Sequence, residues 1–473
     1  MAFNSIPYLL FFLSVFVFYH VLPRHFRPIL ILCASYFFYA ERNLAYLFLI
    51  VSTTLITFCI AFGIEQTGRV STKKAGLATG ITLILLPLLY FKYSRFFCDI
   101  LNHLMRISHI NYHEPDFGIL LPVGISFFTF QCISYLIDVY RGRIVPERNI
   151  LYFSLYVSFF PQVLAGPIAR APDLIPQMKN PQALTPERIS MGMVLILWGL
   201  FKKTVIADRL GLYVDSVFNN IPFHNGPSFL MATYFYSIQI YCDFSGYTDI
   251  ARGCACLLGV DLMRNFNLPY FSLSIREFWR RWHISLSSWF RDYVYIPLGG
   301  NRLGAKRMYL NLLFVMTLCG LWHGAAWTFV VWGTLHGLCL CLFQATQPLR
   351  ARCLLPWALP RSVMTGVQIL FTFHLVTFLW IFFRARNIQD ALYVITHLFS
   401  GWPHLYIQFG VMSLGFFGIA ILALVEWLQS LGLLKKSIQD YALISRWAVY
   451  YAIIFLIILL GVDGGAQFIY FQF

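Results

Sequence analysis

Apolar runs close to the length needed to cross a bilayer recur along this chain, joined by short and mostly basic connections, and they constrain it more than any other feature. A hydrocarbon core about 30 Å thick takes a helix of roughly twenty apolar residues. Runs of this kind include Ile6–Leu22, Leu44–Phe62, Ala75–Phe91, Phe117–Tyr140, Met191–Ala207, Phe229–Ala251, Ala325–Phe343, Val363–Phe383, Ile407–Leu428 and Trp447–Val462. Hydrophobic residues make up 59% of the 473 and charged residues 12%, about half the charge of a soluble domain. The expectation is an all-α polytopic membrane protein, one integral-membrane domain over residues 1–473. It has about 11 transmembrane helices, with re-entrant and interfacial helices between them. The N-terminus, MAFNSIPYLLFFLSVFVFYHVL, lacks a basic leader and a small-residue cleavage site, so it reads as a retained first helix.

The net charge is +15. The basic residues sit in short loops, where they set topology and meet lipid headgroups; a nucleic-acid partner is not expected. By the positive-inside rule, Glu65–Lys74 and Arg141–Arg148 face the cytoplasm. The eleven cysteines lie mostly in or beside apolar runs and show no zinc spacing, so no metal is expected.

Several stretches break the pattern. Pro122 and Gly124 predict an irregular entry to the helix carrying Gln131, Ser134 and Asp138 on one face. Pro161, Gly166, Pro167 and Pro172 predict a re-entrant turn, since prolines interrupt a continuous crossing. Lys202 and Lys203 are expected to snorkel to an interface. The polar region Lys92–Asp116 has room for an amphipathic helix with His103, His109 and His113. The stretch Pro269–Gly300 is too charged to span; within it Ile275–Tyr295 is expected to form helices that lie in the interface or dip into the membrane, anchored by Trp279, Trp282 and Trp289.

Ionisable groups beside membrane spans are costly, so they usually line a cavity or pathway. His323, between Trp322 and Gly324, is the first such group. Imidazole titrates near neutrality and suits a general base, although a histidine can also simply be satisfied by a neighbouring helix. Trp322 and Trp327, with the small residues Gly320, Gly324, Ala325 and Ala326, would shape a narrow cavity around it. His283 is the second candidate, or else an interfacial histidine. His336 lies thirteen residues beyond His323, about 140° around an ideal helix, so the two form no evident metal pair. Arg280, Arg281, Arg291, Arg302, Lys306 and Arg307 either anchor headgroups or grip the phosphates of a nucleotide-like molecule, which guanidinium forks match. Asp243 and Asp249 would pair with these arginines or polarise a histidine. The residues alone reach a membrane enzyme or a transporter with a buried polar centre. The lack of an evident internal repeat counts against the transporter.

Five stretches together resemble the membrane-bound O-acyltransferase family, in particular its bacterial alginate O-acetyltransferase-like subgroup. They are LPVGISFFTFQCISYLIDVYRG (121–142), FFPQVLAGPIAR (159–170), QIYCDFSGYTDIARG (239–253), REFWRRWHISLSSWFRDYVYIPLGGNR (276–302) and LWHGAAWTFVVWGTLHG (321–337). The core of the resemblance is 239–337. It implies a ring- or funnel-shaped helical fold with a tunnel through a bacterial inner membrane. It makes His323 the catalytic histidine and His283 the second characteristic polar position. Acetyl-CoA would act as the acyl-donor substrate from the cytoplasm, with no permanently bound cofactor. The acetyl group would pass through the tunnel to an exopolysaccharide such as alginate, by way of a periplasmic SGNH-type acetyltransferase partner. A transporter or flippase of acyl or glycan intermediates, or an acyltransferase acting on a lipid or protein hydroxyl, are the competing expectations.

Overall fold

The computed structural model describes residues 1–41, 43–108, 121–164, 166–349, 360–402, 404–434, 440–462 and 468–469. His109 and His113 lie outside these. Among the described residues the chain is helical throughout, with no strand. Among the described residues seven helices are long and apolar enough to cross a bilayer: Leu44–Gln66, Val70–Ile107, Pro186–Phe218, Trp327–Ala345, Ser362–Arg384, Phe409–Ser430 and Leu443–Leu460. Three shorter apolar helices accompany them. The protein is a polytopic helical membrane protein. The 32-residue helix Gly226–Leu257 also has the length of a span but carries Asp243, Asp249 and Arg252.

The chain forms two compact units, Met1–Thr185 with Cys254–Met263, and Pro186–Gly253 with Arg264–Phe473. The first contains α1 (Ile6–Val21), α2 (Arg27–Ala40), α3 (Leu44–Gln66), α4 (Val70–Leu88) and, after a π-helical turn, α5 (Ser94–Ile107). It continues with α6 (Ile125–Tyr140), α7 (Ile150–Ser158), α8 (Phe160–Val163) and α9 (Ala171–Lys179). The irregular entry to α6 is real: Gly124 caps it at φ 79°, a left-handed conformation that glycine adopts at little cost. A Cβ there would lie 2.5 Å from the Val163 carbonyl oxygen. Gln131, Ser134 and Asp138 are all buried on α6. The helix ahead of the proline-rich stretch breaks at Phe159 into the two short helices α7 and α8, with Pro161 in the first turn of α8. Ser35 accepts the Phe160 N–H at 3.1 Å at the break.

The second unit is built on α10 (Pro186–Leu200), which runs through a π-helical stretch, Phe201–Ala207, into α11 (Asp208–Phe218), and on α12 (Gly226–Leu257). α10 and α12 cross on glycines: a Cβ at Gly199 would lie 2.6 Å from Gly246 O, and one at Gly253 the same distance from Gly192 O. Small residues of this kind let helix backbones approach closely inside a membrane. Next come α13 (Ile275–Arg281), α14 (Ile284–Phe290), α15 (Ala305–His323), α16 (Trp327–Ala345), α17 (Arg361–Arg384), α18 (Ile388–His397), α19 (Phe409–Ser430) and α20 (Leu443–Leu460).

Two expectations are corrected here. Lys202 and Lys203 do not snorkel; they are buried in ion pairs, Lys202 with Asp249 at 2.6 Å and Lys203 with Asp208 and Asp243 at 2.8 and 2.6 Å. A span with carboxylates on two neighbouring segments offers a lysine a better partner than the interface does. Trp279, Trp282 and Trp289 are not interfacial anchors either: they are 8%, 1% and 5% exposed and belong to the core.

Candidate active site

His323 is the last residue of α15, and α16 starts four residues later. Gly324 and Ala326 in the link are extended, so the chain turns back with almost no loop. Glycines again permit the contact. A Cβ at Gly333 would lie 2.9 Å from Gly320 Cα and would meet the Met316 carbonyl oxygen closer still. His323, 3% exposed, therefore sits in the angle of a tight helical hairpin.

Aromatic rings close around it: Trp322 at 5.0 Å between centroids, Trp332 at 5.2 Å, Phe383 at 5.4 Å and His283 at 6.4 Å. Trp332 in turn stacks on Trp380 at 5.4 Å. Trp327, expected to help shape this cavity, is 56% exposed; it opens α16 facing outward, and Trp332, five residues on, takes that place. His336 lies beyond Trp332, accepting the Trp279 indole N–H on Nδ1 at 3.3 Å.

The two histidines, forty residues apart, are brought together by the short helices. His283 is the N-cap of α14 in a left-handed conformation, φ 42° and ψ 56°, strained for a residue with a side chain. Asn265 holds it there. The Asn265 Oδ1 accepts from Ser285 N–H at 3.1 Å and Ser285 Oγ–H at 2.9 Å, and His283 Nδ1 lies 3.2 Å from it. The Ser285 N–H fixes which amide atom is oxygen, so Nδ1 must donate and Nε2 is the basic nitrogen. Burial pushes the His283 imidazole down to about 3, which keeps the ring neutral at physiological pH. No local pattern around Asn265, in MRNFNLP, announces this role.

Asp243 and Asp249, expected to pair with the arginine cluster or polarise a histidine, do neither; their partners are Lys203 and Lys202, and Asp249 also takes Arg252 at 3.2 Å. Asp243 further accepts the Ile469 N–H at 2.8 Å. Within the basic cluster, Arg281 pairs with Glu277 at 2.6 Å and Arg291 with its neighbour Asp292 at 2.7 Å. Arg280, Arg302, Lys306 and Arg307 are exposed.

A cavity of about 540 Å³ begins where the His323 hairpin ends. Gly324, Ala325 and Ala326 form part of its lining. Lys203, Asp208, Tyr236, Gln239, Asp243 and Thr328 give its polar wall. Asp215, Asn219, Arg384 and Arg386, at and just beyond the last turns of α11 and α17, also line it. Tyr236, Gln239 and Asp243 follow one another at i, i+3 and i+7 on α12, hence on one face. Sequence reading passed over Tyr236 and Gln239 because both lie in an apolar, aromatic run. None of the basic cluster lines the cavity. Among the described residues no group of three or more potential ligands could hold a metal.

The sequence profile of the membrane-bound O-acyltransferase family matches residues 145–385. A protein named probable alginate O-acetylase from Azotobacter vinelandii is 40% identical over 85% of this chain and 79% of its own length. A peptidoglycan O-acetyltransferase from Helicobacter pylori is 36% identical over 84% of this chain and 79% of its own. A teichoic acid D-alanyltransferase from Bacillus subtilis is 29% identical over 59% and 73% respectively.

Proposed function

Because this chain belongs to the membrane-bound O-acyltransferase family and is an O-acyltransferase, we propose that it takes acetyl from cytoplasmic acetyl-CoA and passes it across a bacterial inner membrane for O-acetylation of an exopolysaccharide such as alginate. A periplasmic SGNH-type acetyltransferase partner receives the group or carries it to the polymer. The relatives named as alginate and peptidoglycan O-acetyltransferases support this class of acceptor.

One observation carries the reading: His323, buried among aromatic rings beside a neutral His283, stands directly next to the link that lines the cavity. A thioester already has a good leaving group. The enzyme therefore needs a base for the acceptor hydroxyl, positioning and a dry path. His323 takes the hydroxyl proton as the new C–O bond forms. The C–S bond breaks, and that proton leaves on the CoA thiol. His283, fixed by Asn265, orients the reacting groups. Phosphate binding falls first to Arg280 and Arg281, three and two residues before His283, with Arg291, Arg302, Lys306 and Arg307 further out.

General-base catalysis is worth roughly 10²–10⁴-fold. His323→Ala is expected to lower acetyl-CoA-dependent thiol release at least ~100-fold in protein that remains folded. Near-normal release would remove His323 from this role. Release with labelled acetate on a hydroxyl product separates acyl transfer to an acceptor from mere thioester hydrolysis.

A further inference from the structure

Glu426 stands in the apolar run FGVMSLGFFGIAILALVEWLQS of α19 and does not line the cavity. An ionisable group inside a span is costly, so its partner indicates what it is kept for. α19 buries a single stripe: Gly415, Gly418, Leu422 and Glu426. The two glycines seat it against the segment that carries the buried lysines. A Cβ at Gly415 would meet Leu210 Cδ2 at 2.8 Å, and one at Gly418 would meet Ile206 Cγ1 at 3.0 Å. Glu426, 7% exposed, is thereby brought to face Lys202 and Asp249. Those two are already ion-paired with each other at 2.6 Å. The Glu426 carboxylate accepts instead from the Tyr241 hydroxyl on α12.

Tyr241 leads to the histidines. Its ring lies 5.8 Å from Phe266, 5.4 Å from Tyr270 and 6.1 Å from Trp282. Phe266 and Tyr270 belong to the strap 265–270, and Trp282 immediately precedes His283. Phe266 also meets Trp282 at 5.0 Å. The strap is paired to the histidine segment through its backbone: Asn267 N–H donates to Arg281 O and Ile284 N–H to Asn265 O, both at 2.9 Å. Among the described residues only two non-glycines have a positive φ, Leu268 at 48° and His283 at 42°, one on each side of this pairing. Such backbone persists only where its surroundings over-determine it. Asn265 fixes His283 locally, but the strap that bears Asn265 needs a hold of its own. Tyr270 gives one, donating to Ser237 O at 2.6 Å. The Tyr241 ring, whose hydroxyl Glu426 anchors, gives the other.

We infer that Glu426 is a positioning residue for the acyl transfer: through the Tyr241 hydroxyl it fixes the ring against which the strap 265–270 and Trp282 pack, and so holds Asn265 and His283 in place beside His323. The inference rests on the acetyl-transfer reading, in which His283 orients the reacting groups. An accepting oxygen is what this role requires, since Lys202 already has its carboxylate in Asp249.

The test uses full-length protein in detergent. Thiol release from acetyl-CoA gives kcat and KM. Histidine-selective ¹⁵N labelling reports on the His283 ring, assigned by its loss in His283→Ala. Tyr241→Phe removes one oxygen and Glu426→Leu removes the acceptor. Each is expected to lower kcat roughly 10-fold with the KM for acetyl-CoA unchanged, because a displacement of about 1 Å already costs roughly 100-fold. Each should also move the resonance of the His283 Nδ1 that donates to Asn265. Glu426→Gln keeps an accepting oxygen and should leave both readouts near wild type. Tyr241→Phe combined with Glu426→Gln should lose no more than Tyr241→Phe alone, since the two residues act through one bond. Should Glu426→Leu not fold, Tyr241→Phe and Glu426→Gln decide. An unchanged kcat in Tyr241→Phe, a fall in kcat with the His283 signal unmoved, or Glu426→Gln failing as badly as Tyr241→Phe overturns the inference. A moved His283 signal in a protein whose wild type releases no thiol keeps the hold on His283 and sinks the transfer reading.

Discussion

The hairpin that carries His323 makes a quantitative demand on its glycines. In Gly333→Ala the new Cβ would lie 2.9 Å from Gly320 Cα and nearer still to the Met316 carbonyl oxygen, all of it backbone. Ordinary contact begins at 3.4 Å, so the Gly320 contact alone demands 0.5 Å (3.4 − 2.9) of separation between α15 and α16, and the nearer Met316 oxygen demands more. Overpacking of this kind costs about 1–3 kcal/mol. The gain in helix propensity from Gly to Ala returns up to about 1 kcal/mol. The net loss is small enough for the protein to stay folded. Catalysis is less forgiving, because a misplacement of about 1 Å can cost roughly 100-fold. Gly333→Ala is therefore expected to lower thiol release from acetyl-CoA by roughly 10- to 100-fold while the size-exclusion profile and melting temperature change little.

Two further glycines grade the effect. Gly337→Ala, one turn along α16, meets Leu313 Cα at 3.1 Å and otherwise side-chain atoms at 3.2 Å; a loss below about 5-fold is expected. Gly366→Ala on α17 has nothing within 4 Å and should leave the rate unchanged. If Gly333→Ala retains normal activity, or if all three variants lose activity alike, hairpin spacing does not set the position of His323.

Two other predictions concern groups around the histidines. Asn265→Ala strands the Ser285 donors and His283 Nδ1–H, so a loss of about 1–3 kcal/mol in stability is expected, read as a lower melting temperature. Asn265→Asp keeps the accepting oxygen and should restore stability; its charge raises the depressed His283 imidazole, which a shifted pH–rate profile would reveal and an unshifted one would deny. Arg280→Gln is expected to raise the KM for acetyl-CoA more than Lys306→Gln or Arg307→Gln, since Arg280 is near His283 in sequence while Lys306 lies seventeen residues, about 25 Å of helix, from His323. If only membrane insertion changes, these residues are headgroup anchors.

Much of the fold was legible because lipid leaves a chain so few options: long apolar runs became helices, Gly124 capped one with a left-handed turn, and another stretch broke at Phe159, just ahead of Pro161. The site was legible as chemistry but not as geometry. His323 and His283 stand out as ionisable groups in apolar surroundings, yet their meeting depends on Asn265, which no spacing marks. Trp327 and Trp332 cannot be told apart by composition; the hairpin turns one outward and the other onto His323. Lys202 and Lys203 misled because snorkelling is the default for a lysine near a span, and only tertiary structure supplies the carboxylates that reverse it. Tyr236 and Gln239 sit in a run whose apolar content hides a polar face.

On the acetyl-transfer reading, the arrangement around His323 lets one histidine serve reactants that arrive from opposite sides. A base in the middle of a straight helix would present its ring to one groove only. At the end of α15, followed by three small residues, the ring borders the aromatic cluster of Trp322, Trp332 and Phe383, and the link beyond it borders the cavity. The basic residues before α15 lie at the other end of that helix from His323, while Asp215 and Arg384, near the ends of α11 and α17, line the cavity. On the acetyl-transfer reading, donor and acceptor need never share a compartment: each approaches its own side of one short turn. Any substitution that lengthens the link Gly324–Ala326 should uncouple the two, sparing donor binding while abolishing transfer.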